Sequence, residues 1–207
     1  MSAPTPENPA KKNRIIIVAL ALLFFGPLAI APFVVDYIEK TRPTETKNTG
    51  VLVDPAVPLK EFTLQGLEGQ AYGLEQMRGK WSVVYFASGC DARCAETLYN
   101  IRQSRLAQGK EYHRVQLLHI PLEGTVSAPL QDLLPEHPKL TVLTGRPRDV
   151  QNMWRQFAAV DPIAESERSG VYIVDPLGNL MMSYPDDFTP RQLIKDLQRL
   201  LYVSQIG

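Results

Sequence analysis

The chain has 207 residues, is 44% hydrophobic, and sets 22 Lys and Arg against 22 Asp and Glu, for a formal net charge of zero. No basic excess exists to neutralise phosphates, which argues against a nucleic-acid partner. Two cysteines are too few for a disulfide framework but enough for one reactive pair or half of a metal site. Along the chain, residues 1–14 form a short tail with Lys11, Lys12 and Arg14 clustered at its end. Ile15 to Val35 then carries no charge. At about 1.5 Å per residue it reaches roughly 30 Å, the thickness of a bilayer core. A cleaved signal peptide would have a shorter apolar stretch ending in small residues, whereas this one runs on through Phe33, Val34 and Val35. The expectation is a retained single transmembrane helix with the N-terminus cytoplasmic, by the positive-inside rule. MSAPTPENPA lacks the Arg- and Ser-rich character of a transit peptide. A bacterial inner membrane with a periplasmic domain is the simplest location.

Residues 36–52 read as a charged, Thr-rich linker broken by Pro43 and Gly50, and residues 53–207 as one soluble domain. Glu61 to Leu64 is expected to be a short strand, followed by a turn at Glu68-Gly69. Trp81 to Phe86 is β-branched and aromatic with little polarity, the pattern of a strand buried on both faces. Ala92 to Gln108 is predicted helical, with Cys94, Leu98 and Ile101 on one stripe. Val115 to Leu122 and Leu140 to Leu143 are further strands. Pro147 opens a helix in the position proline favours, with Val150, Met153, Trp154 and Phe157 as its apolar face. Val171 to Val174 and Leu180 to Tyr184 form a hairpin across Asp175-Pro-Leu-Gly178. Thr189 caps a last helix whose Leu193, Ile194, Leu197, Leu200 and Leu201 face the core. This order predicts an α/β fold: a thioredoxin-like sandwich with a mixed sheet, preceded by one transmembrane helix.

Cys90 and Cys94 stand in GCDARC, between a core strand and the start of a helix. Sites in open α/β sheets gather at strand carboxyl ends. A helix N-terminus favours the thiolate, the form that attacks disulfides and binds metals. Arg93 adds to this, while Asp91 and Glu96 oppose it. The pair can chelate a soft ion such as Cu(I), exchange disulfides, or form a plain structural disulfide. Cys90, nearer the helix start, is the expected attacker and Cys94 the resolver. Patterns for hydrolases and P-loops are absent from the sequence.

From Phe62 to Leu201 the chain resembles the SCO/SenC family, membrane-anchored thioredoxin-like proteins that serve the copper centre of cytochrome c oxidase. The resemblance is carried by FTLQGLEGQAYGLEQMRGKWSVVYF, CDARC, LTGRPRDVQNMWRQF, VYIVDPLGNLMMSY and the terminal helix. It implies an assembly role with a membrane-bound oxidase subunit or assembly factor as partner, and Cys90 and Cys94 as copper ligands. Two departures stand out. The family's cysteines are each followed by proline, where this chain has Asp91 and Ala95. The family's third ligand, a histidine shortly before the hairpin, is missing from residues 164–170, and Glu167 stands at its position. A carboxylate is a poor replacement for imidazole toward copper. Among His113, His119 and His137, His119 is the best substitute by its place near a strand end, although a histidine hydrogen-bonded within the sheet is the plainer reading. His113 and His137 are expected at the surface. Met153 belongs to a packing stripe, and Met181 and Met182 should point to opposite faces.

The resulting expectation is oxidase assembly through the dithiol, by thiol reduction or transient Cu(I) contact rather than a stable Cu(II) site. A copper-free thiol–disulfide oxidoreductase and a non-catalytic scaffold with a structural disulfide are the alternatives.

Overall fold

The computed structural model describes residues 9–41, 48–161, 168–185 and 187–204. The chain divides into two compact units, residues 1–46 and 47–207. The first holds helix α1 (Pro9–Thr41), longer than the apolar run at both ends. Its segment Ile16–Val34 is long and apolar enough to cross a membrane, with a mean hydropathy of 2.5. Large side chains along it, Phe24 and Phe33 among them, are exposed. A stripe on one face would mark a surface helix; apolar residues all round suit lipid.

The second unit is built on an eight-stranded sheet. In chain order it runs β1 (Val51–Pro58), β2 (Thr63–Gly66), β3 (Ala71–Gly73), α2 (Leu74–Met77), β4 (Trp81–Ala87) and α3 (Ala92–Leu106). Then come β5 (Val115–Pro121), α4 (Ala128–Leu133), β6 (Leu140–Thr144), α5 (Pro147–Ala158), β7 (Gly170–Val174), β8 (Asn179–Tyr184) and α6 (Pro190–Val203). The strand order is β1-β8-β7-β4-β5-β6-β2-β3. β4, β5 and β6 are parallel, and β7 runs antiparallel to β4. The predicted mixed sheet flanked by helices is thus present. The strand expected at Glu61–Leu64 lies two residues later, and β1, β3, α2 and α4 extend beyond what periodicity indicated.

All seven residues of β4 are buried, because helices cover both faces of the sheet. Alternation then sorts the side chains. Val84 and Phe86 meet Trp154 and Phe157 of α5, and Trp81, Val83 and Tyr85 meet Leu98 and Ile101 of α3 and Leu193 and Leu197 of α6. The hairpin turn follows from Asp175, whose carboxylate accepts from Leu177 N (2.9 Å) and Asn179 N (2.8 Å), and from Gly178 at φ +92°. In β8 the register slips between its pairings with Ile173 and Val174. This bulge corrects the expectation for the methionines. Met182 is buried and Met181 half-buried against the same cluster rather than the opposite one. Along α6, Leu193, Leu197 and Leu201 are buried, while Ile194 and Leu200 are half-buried.

Candidate functional site

Cys90 follows β4 by three residues, and Cys94 lies in the first turn of α3. The two are joined as a disulfide, with Cα atoms 5.0 Å apart. Both are buried, Cys90 at 8% and Cys94 at 3% exposure. They belong to the cluster of Tyr85, Leu98 and Phe188. Beside them opens a cavity of about 360 Å³, lined by Tyr85, Ser88, Gly89, Asp91, Arg93, Cys94, Arg168 and neighbours. It reaches Cys94.

Asp91 caps α3. Its carboxylate accepts from Arg93 N at 3.0 Å and Cys94 N at 3.1 Å. Two of the free N–H groups expected to favour a thiolate are therefore engaged by a carboxylate already. Ahead of the pair, Ser88 and Gly89 are held by Glu123 from the β5–α4 connection: Ser88 Oγ donates at 2.6 Å and Gly89 N–H at 3.1 Å. Burial works against the Glu123 carboxylate. Those two hydrogen bonds and the charge of Arg168 outweigh it and hold the carboxyl below its ordinary range.

His119 lies on this face of the sheet, fully buried. It pairs with Tyr85 across β4 and β5 and stacks on its ring at 5.0 Å. Its Nδ1 faces the Tyr85 carbonyl at 3.2 Å, so Nδ1–H donates there. Nε2 has no hydrogen-bond partner among the described residues. Burial pushes the imidazole down to about 4, against the Tyr85 carbonyl and the Glu123 charge. The Tyr85 hydrogen bond, the stacking and the lowered pKa describe a neutral imidazole held within the sheet. His137, expected at the surface, is instead buried at 5% exposure, and burial lowers its pKa. His113 is exposed. Met153 is fully buried in the α5 core. Glu167 lies outside the described residues. Among the described residues no group of three or more His, Cys, Asp or Glu could hold a metal ion. Once reduced, the two sulfurs are soft donors that suit Cu(I).

Asp196 of α6 is fully buried and was not foreseen. It accepts from Thr49 N (2.9 Å), Thr49 Oγ1 (2.7 Å), Gly50 N (2.9 Å) and the Tyr184 hydroxyl (2.8 Å). Burial and this carboxylate raise the Tyr184 pKa. Residues from Asn48 onward are therefore tied into the fold rather than being linker.

A thioredoxin-like sandwich with a bonded cysteine pair at the carboxyl end of its central strand defines a class. Comparison places the chain within that class. It belongs to the family described as "Transmembrane-like, thioredoxin-like, C-terminal domain", whose model matches residues 81–204. The SCO/SenC resemblance is borne out by the bovine "Protein SCO2 homolog, mitochondrial", 26% identical over 187 residues, 87% of this chain and 69% of that protein. Yeast Sco1 with copper bound has the same fold, at a TM-score of 0.60 and 20% identity over 72% of this chain and 95% of that one. BsSco, described as a Sco-family cytochrome c oxidase assembly protein with a disulfide switch, aligns at a TM-score of 0.55 and 20% identity over 74% and 99%.

Proposed function

We propose that this chain is a membrane-anchored, SCO-like assembly factor for cytochrome c oxidase that acts through the Cys90–Cys94 dithiol. The observation that carries the reading is the bonded pair itself, set between β4 and α3 beside an open cavity. Yeast Sco1, with copper bound, and BsSco, with its disulfide switch, support it by similarity. Its second support is energetic. A bond across so short a loop restrains little unfolded chain and stabilises by about 2 kcal/mol. The sheet between two apolar layers does not depend on that, which favours chemistry over stapling.

The chemistry is thiol–disulfide exchange. In the reduced protein the Cys90 thiolate attacks a disulfide in the partner and forms a mixed disulfide, releasing one partner thiolate. Cys94 attacks Cys90, frees the second partner thiol, and leaves Cys90–Cys94 oxidised. Two electrons and two protons pass to the partner, and an upstream dithiol must restore the pair. The reduced sulfurs would also hold Cu(I) as transient cargo. We place α1 across a bacterial inner membrane, N-terminus inside, with Lys11, Lys12 and Arg14 retained on the cytoplasmic side. An intact disulfide suits the periplasm.

Two measurements on the full chain in detergent test this. The reduced protein, titrated with Cu(I) against a competing chelator, should bind in a thiol-dependent way that Cys90→Ser abolishes. Without such binding the copper contact is lost and general thiol exchange remains. A reduction potential below roughly −300 mV would instead mark a structural disulfide and leave a scaffold.

A further inference from the structure

We propose that Glu123 is the positioning residue of the redox loop, holding residues 88–90 so that Cys90 stays beside Cys94 in both oxidation states. This rests on the reading that the pair cycles. Ser88 and Gly89 are exposed and lie between β4 and α3, outside both. Gly89 has φ +74°, a conformation only glycine adopts at little cost, and one it also leaves easily. In the oxidised protein the disulfide restrains this loop. In the reduced protein that restraint is gone, and the Ser88 Oγ and Gly89 N–H bonds to Glu123 are what hold the segment leading into Cys90.

Glu123 is suited to this because its own backbone is fixed. Leu122 N–H donates to Ala87 O at 2.9 Å, and Gly124 N–H to Pro121 O at 2.9 Å. Gly124 has φ +77° and its α-carbon faces the Gly145 carbonyl so closely that no Cβ fits between them. The connection is therefore locked against β4 on one side and the β6–α5 loop on the other. A short exposed loop with a positive-φ glycine is held by a carboxylate on a connection anchored on both sides.

Holding the reduced sulfurs together raises their effective concentration and favours disulfide closure. Glu123→Ala frees the loop only in the reduced state. It should shift the reduction equilibrium about tenfold toward the dithiol, ~30 mV less negative for a two-electron couple. Glu123→Gln loses the charge but can keep both bonds, its Oε1 accepting from Gly89 N–H and its Nε2 donating to Ser88 Oγ, so it should stay near wild type. Ser88→Ala removes one of the two bonds and should give a shift of about threefold.

The experiment is redox equilibration of the full-length protein in detergent against a dithiothreitol couple, with the oxidised fraction read by thiol alkylation. Thermal unfolding of each oxidised variant provides the folding control, and Ser88→Ala keeps the test open should Glu123→Ala not fold. Glu123→Ala and Ser88→Ala matching wild type would overturn the proposal, as would Glu123→Gln shifting as far as Glu123→Ala, which assigns the effect to charge. A wild-type pair that dithiothreitol cannot reduce overturns the cycling reading itself, a result separate from a reducible pair that ignores Glu123.

Discussion

The two faces of the sheet are built differently. On one, Phe86 packs on Trp154 (5.1 Å), Phe157 (4.8 Å) and Tyr172 (6.0 Å) under α5, an aromatic cluster with core Leu, Val and Met around it. The other, under α3 and α6, holds Cys90 and Cys94 in its apolar cluster together with the buried His119 and Asp196. Apolar packing is non-directional and is sensitive to volume rather than to orientation. A buried polar group demands a particular partner at a particular distance. Both faces hold the sheet by apolar packing, and the α3–α6 face in addition places the cysteines, His119 and Asp196.

Breaking the aromatic face should have the largest effect on stability and the least on chemistry. Phe86→Ala removes a fully buried ring and is expected to cost about 4 kcal/mol. The potential of the cysteine pair should not move. Denaturant unfolding and redox equilibration of the same variant check both halves, and a shifted potential would mean the two faces are not independent.

On the other face the strongest expected effect lies at Asp196. Asp196→Ala removes the acceptor from two backbone N–H groups and two hydroxyls, of which the Gly50 N–H and the Tyr184 hydroxyl are left unpaired in the interior, at a cost of about 3 kcal/mol. The same site predicts where the domain begins. A chain starting at Val51 lacks Thr49 and Gly50, and leaves Asp196 buried with Tyr184 as its remaining donor among those bonds. One starting at Asn48 keeps them all. Comparing the unfolding midpoints of these two truncations isolates the contribution, and the shorter chain should be the less stable.

The linker expectation over residues 36–52 missed this because Asp196 bonds residues nearly the whole domain away, a pairing no local pattern reveals. β1 was hidden for a related reason. VLVDPAVP carries two prolines and an exposed pattern, as edge strands do. The buried strands β4, β5 and β7 were legible because their apolar runs reflect cover on both faces. Cys90 and Cys94 were legible by spacing, whereas Glu123 was not, since its partners are a hydroxyl and a backbone N–H 34–35 residues away. His137 was misplaced because a loop sequence says little about what its backbone folds over.

His119 supplies a pH signature. Its pKa falls from 6.5 to about 4 on folding, so between those values the unfolded chain holds a proton that the folded chain refuses. Its contribution to stability is full above pH 6.5 and declines as pH falls toward 4, by up to roughly 3 kcal/mol. His119→Leu should flatten unfolding free energy across this window and remove the unpartnered Nε2. A slope that survives the substitution would assign the acid sensitivity to carboxylates instead.

The smallest expected effect separates the two readings of the cysteines. Opening Cys90–Cys94 should cost about 2 kcal/mol, because the bond closes a loop of only a few residues. Thermal unfolding with and without dithiothreitol, beside a Cys90→Ser/Cys94→Ser variant, measures it. The reduced wild type and the double variant should agree, with the sheet intact by circular dichroism. A loss of 4 kcal/mol or more would make the bond a staple of the α3 face and favour the scaffold. A small loss leaves a fold that stands in both oxidation states, which is what a protein that cycles between them requires.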